Sequence, residues 1–166
     1  MGKFASGVDA FNEVLGRWVA LLILPLIYVV LHEVVARKVF NAATAWAFEV
    51  TVYLYGAHFM LGMAYTLLYD RHVRIDIIVL MLPERIQLWL RVITFFLIFV
   101  PFVGALTWAA LLYAGESWAQ WEHSWSAWKP PLYPYKTVMP VALLLLLAQG
   151  LANFVKDLQK LKGRAS

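Results

Sequence analysis

At 166 residues, 63% hydrophobic and only 14% charged, the chain falls well short of the ~25% charge of a soluble domain, and no stretch is long and polar enough to form one. It has no cysteine, which excludes disulfide frameworks, thiolate metal sites, cysteine nucleophiles and the thiol chemistry of four-helix, quinone-linked disulfide oxidoreductases. The net charge is +4, yet the basic residues flank apolar runs, so topology and phospholipid headgroups account for them rather than nucleic acid.

Charges punctuate the chain into four apolar runs. Nineteen residues separate Arg17 from Arg37, with Glu33 the single charge among them; 20 separate Glu49 from Asp70, 24 separate Arg91 from Glu116, and 19 separate Lys136 from Lys156. Each is close to the ~20 residues that cross a ~30 Å hydrocarbon core as a helix. The expected fold is therefore an all-α integral membrane domain occupying 1–166, with spans at 17–36, 47–69, 91–115 and 137–156. Period-two alternation is absent, which argues against a membrane β-barrel. The first run exceeds the ~7–15 apolar residues of a signal peptide and no small-residue cleavage site follows, so it reads as a retained helix. Pro25 and Pro101 fall inside spans and predict kinks, while Pro140 falls in a first turn, where its missing N–H costs little.

Four spans put both termini on one side. Lys3, Arg17, Arg71, Arg74, Arg85, Arg91, Lys156, Lys160, Lys162 and Arg164 share that side, against Arg37, Lys38, Lys129 and Lys136 on the other. The positive-inside rule then places both termini in the cytoplasm.

Two loops predict interfacial segments. In the inner loop, at 75–90, the apolar stretch 77–83 is too short to cross and is expected along the membrane surface or against a partner, with a helix start at Pro83-Glu84-Arg85. In the outer loop, Trp118, Trp121, Trp125 and Trp128 are spaced three, four and three apart, the period of one helical face. This predicts an amphipathic helix over 116–129, ended by Pro130 and Pro131, whose indoles face lipid or a neighbouring subunit.

Ionisable groups at the bilayer midplane are the default functional candidates. Glu33 and Glu49 lie near outer span ends, Gln149 is displaced towards the cytoplasm, and only His58 sits near mid-membrane. His32 and His58 differ in depth by roughly 10 Å, too far for one haem to take both, so His58 is expected to bond within the helix packing. The first span has Leu24-Pro25-Leu26 where a small exporter needs a central carboxylate. Paired broken helices, the mark of a complete secondary transporter, are absent. Glu33 and Arg37 stand at i, i+4 and are expected to pair, with Glu49 facing Arg37 and Lys38 across a short loop.

The ordered set Arg37, Phe40-Asn41, Trp46-Ala47-Phe48-Glu49, then Phe59-Met60-Leu61-Gly62-Met63-Ala64, His72-Val73-Arg74-Ile75-Asp76 and Leu82-Pro83 resembles the small membrane subunits of tripartite ATP-independent periplasmic (TRAP) transporters, the DctQ family. Tyr135-Lys136-Thr137-Val138-Met139-Pro140 and Gln149-Gly150-Leu151-Ala152 extend the resemblance over roughly 17–160. Gly56-Ala57-His58 departs from the bulky apolar residues usual there. The resemblance implies a non-enzymatic, cofactor-free scaffold in a bacterial inner membrane. Its partners would be a large elevator subunit driving sodium-coupled uptake and a periplasmic protein that delivers the substrate, an organic acid. Arg37, Trp46, Glu49, Gly62, His72 and Asp76 are then the expected structural or inter-subunit positions. The alternative is a membrane anchor of a haem- or quinone-linked respiratory oxidoreductase.

Overall fold

The computed structural model describes residues 2–69 and 82–163. Its regular elements are α1 (Gly2–Ala20), α2 (Ile23–Lys38), α3 (Ala47–Leu68), α4 (Glu84–Thr94), a π turn (Phe95–Phe99), α5 (Val100–Ala119), the single turn α6 (Tyr133–Lys136) and α7 (Val138–Gly163). Among the described residues three helical runs are long and apolar enough to cross a membrane: Lys3–Lys38, Ile86–Ala119 and Tyr133–Leu161. The remaining long helix, α3, has 22 residues, or about 33 Å, but Glu49, Tyr53, Tyr55, His58, Tyr65 and Thr66 dilute its apolar character. It tolerates them because α1, α2 and α7 pack around it. The hydroxyls of Thr51 and Thr66 also donate to the carbonyls of Ala47 and Gly62 one turn back, each at 2.8 Å.

Both intramembrane prolines act as their chemistry requires. Pro25 has no N–H to offer the carbonyl four residues earlier and its ring crowds it. At that point the first rod breaks between α1 and α2, and Leu21, Leu22 and Leu24 bond three residues back instead of four (3.0–3.1 Å). Pro101 does the same to the third rod. Just before it the Val100 N–H reaches five residues back to Phe95, a π turn that absorbs the misfit.

Two expected boundaries change. The first helix starts at Gly2, far before Arg17, because Asp9 and Asn12 find buried partners on α7. The third rod is helical from Glu84, with Pro83 as its cap, so its last part before Arg91 extends the span instead of forming a separate interfacial helix. Residues 75–81 of that inner segment lie outside the described residues.

The spans form a layer with α7 in the middle. α3 packs on one side of α7 and α5 on the other, α2 lies outside α3, and α1 rests against both α3 and α7. The α7 positions Ala142, Leu146, Gln149 and Ala152 are buried, the i, i+4, i+7 pattern of a packed helix face. Close approach depends on glycine. A Cβ at Gly16 would stand 2.2 Å from the Tyr65 ring of α3, and one at Gly150 would stand 2.3 Å from the Phe99 ring. Small residues of this kind let membrane helices pack without help from the hydrophobic effect. Phe99 also stacks on Phe95, which stacks on Phe154 of α7 (centroids 5.4 and 4.8 Å). The faces of the layer are left apolar and open, with Leu24, Leu97 and Trp108 among the most exposed side chains.

Candidate functional site

Where α1 begins and α7 ends, the two helices share a polar ladder. The Asn12 amide donates to Gln149 Oε1 at 2.7 Å. Gln149 Nε2 donates to Asp9 Oδ1 at 2.9 Å and to Asn153 Oδ1 at 3.1 Å. Lys156 Nζ closes the ladder on Asp9, 2.6 Å from Oδ2, and the Asn153 amide ties it to α3 through the Leu67 carbonyl at 3.0 Å. Gln149 is 0% exposed and Asn12 1%, so the bond between them is made where no water competes and where an unmade bond is expensive, while the bonds to Asp9, Asn153 and Lys156 are part-buried. Sequence reasoning places Gln149 at this depth but does not single out Asp9, Asn12, Asn153 or Lys156. Arg91 of α4 adds an ion pair with Asp157 at 3.9 Å.

Midway along α3, His58 Nδ1 lies 3.0 Å from the Val19 carbonyl. A carbonyl only accepts, so Nδ1 carries the proton. Val19 lies at the α1–α2 break that Pro25 imposes, and its carbonyl accepts both the imidazole N–H and the Leu22 N–H (3.0 Å each), which ties α3 to the break. His58 thus bonds within the packing, as expected. His32 stacks instead on Trp46 and Tyr28 (5.5 and 6.2 Å). The haem-anchor alternative gains no support from either ring.

The opposite end carries the outer loop, and here the structure corrects the predicted helix over 116–129. α5 stops at Ala119. Trp121 adopts a left-handed backbone with φ 48°, the Trp121 N–H bonds the Trp118 carbonyl, and the Glu122 N–H bonds the Ser117 carbonyl. This is a Schellman ending with tryptophan where glycine is usual. The strain is held by ring contacts, since Trp118 and Trp121 both pack edge-on to Tyr133 (4.5 and 5.1 Å) and the Trp118 indole N–H donates to Thr137 Oγ1 at 2.8 Å. The chain then folds back on itself. Ser124 N–H bonds the Pro130 carbonyl (2.9 Å), Leu132 N–H bonds the Glu122 carbonyl (2.8 Å), and His123 and Pro131 form an antiparallel bridge. The four indoles therefore share no helical face. Trp118 and Trp121 join the aromatic cluster, Trp128 is half-exposed, and Trp125 stands at the loop tip, 99% exposed.

Three side chains pin this loop to the spans. Glu49 of α3 accepts from the Ser124 hydroxyl, in place of the expected approach to Arg37 and Lys38. Lys136 pairs with Glu122 and caps the Tyr113 ring at 4.0 Å; the ammonium holds the Glu122 carboxyl below the usual carboxylate range. Tyr135 stacks on Tyr53 at 4.5 Å and donates to the Val52 carbonyl at 3.3 Å. Its hydroxyl lies only 1.9 Å from where a Cβ at Gly56 would stand, which explains a small residue at the position where the sequence departs from the bulky pattern.

Of the remaining predicted positions, Arg37 pairs with Glu33, which also accepts from Thr44, so the predicted i, i+4 pair forms. Trp46 caps α3 and stacks on His32. At Gly62 an added Cβ would touch nothing within 4 Å. His72 and Asp76 lie outside the described residues.

None of the curated proteins matches the chain significantly. The model of the family "Tripartite ATP-independent periplasmic transporters, DctQ component" matches residues 26–160, a stretch that takes in most of α2, all of α3, the third rod and the outer loop, and nearly all of α7. The chain therefore belongs to the DctQ family, the small inner-membrane component of TRAP transporters, which works with a large DctM subunit and a periplasmic binding protein.

Proposed function

We propose that the chain is the scaffold subunit of a sodium-coupled transporter for an organic acid. It braces the large elevator subunit and helps dock the binding protein that delivers the substrate. One observation carries this reading: buried polar groups at the inner end bond one another across helices, while the outward faces of the layer are broad and apolar. Polar groups spent on holding helices together suit a brace. A solute pathway needs such groups aimed at a cavity.

The proposed topology has four crossings, with α3 as the second, and both termini cytoplasmic. The meeting of Asp9 and Lys156 supports placing the two termini at one end. Trp125, Trp128 and the neighbouring Lys129 are proposed to contact phospholipid headgroups at the outer interface. Arg37, Trp46, Glu49 and Gly62, together with His72 and Asp76, are proposed as structural or inter-subunit positions.

The test is affinity purification of the tagged chain in mild detergent from its native membrane. The large membrane subunit is expected to co-purify, and Glu49→Gln or Asp76→Ala is expected to lower its recovery or the uptake rate without changing which substrate is taken. A preparation lacking that subunit, or a changed substrate profile in either variant, contradicts the proposal.

A further inference from the structure

We draw no further inference here: the strongest candidate, the crevice of about 380 Å³ between α1 and α7 lined by Phe4, Gly7, Phe11 and Leu145, carries nothing, because the unpartnered Asn12 Oδ1 at its margin is closed off within the packing and nothing in the structure shows what covers its apolar walls.

Discussion

Replacing Gln149 with leucine tests whether the buried ladder holds α1 to α7. The leucine approximates the volume of the amide but removes the acceptor for Asn12 and the donor to Asp9 and Asn153. Asp9 keeps Lys156, and Asn153 keeps Lys156 and the Leu67 carbonyl. Asn12 keeps nothing, because its Oδ1 already has no hydrogen-bond partner. Orphaning a buried amide costs ~1–3 kcal/mol, and measured interhelical hydrogen bonds in a bilayer average about 0.6 and reach about 1.7 kcal/mol. The two ranges overlap near 1–2 kcal/mol. At ~2–4 °C per kcal/mol for a chain of this size, the melting temperature in detergent should fall by roughly 2–8 °C. The informative comparison is a double-mutant cycle with Asn12→Leu. Removing both amides leaves no orphan, so the double variant should regain most of what either single change lost. If the two effects simply add, the amides do not act on each other and the ladder is not what joins the helices.

Gly150→Ala should destabilise by ~1–3 kcal/mol, because the methyl group forces the Phe99 ring from its socket; adding Phe99→Leu should restore most of the loss, while Gly62→Ala, which meets open space, should cost nothing in thermal denaturation. The outer loop should loosen in acid. The Glu122 carboxyl titrates below its unfolded value because of Lys136, so its contribution is complete above about pH 4.3 and disappears as pH falls through the depressed folded value. Hydrogen-exchange protection at Leu132, whose N–H bonds the Glu122 carbonyl, should fall over that window after correction for intrinsic rates, and Glu122→Gln should abolish the pH dependence; protection that tracks intrinsic rates alone refutes the clamp.

Much of the helical layout was legible because desolvating charge is costly: Arg37, Glu49 and Lys136 mark where helices end or begin at the end that carries the tryptophan loop. The same rule misled at the N-terminus. Arg17, as the charge that bounds the first apolar run, set the expected start of the first span, whereas the helix runs back to Gly2 and its Asp9 is neutralised by Lys156, a partner 147 residues away that no local pattern reveals. The tryptophan spacing misled in the opposite way. Three, four and three apart is a valid helical face, but a helix also needs each backbone to stay right-handed, and Trp121 does not. What turns it is the aromatic packing with Tyr133 and the backbone closure on Pro130, both tertiary. The Gly16, Gly56 and Gly150 sockets were equally hidden, since a glycine announces space without naming the ring that fills it. Family membership, by contrast, rested on an ordered series of short motifs and was readable in full.

A scaffold subunit acts only through its partners. Radiolabelled organic acid uptake should be measured in sodium-gradient liposomes containing the chain alone, and in liposomes containing the chain with the large subunit and the binding protein. Uptake confined to the complete assembly is the predicted result. Sodium-driven accumulation by the chain alone would contradict it.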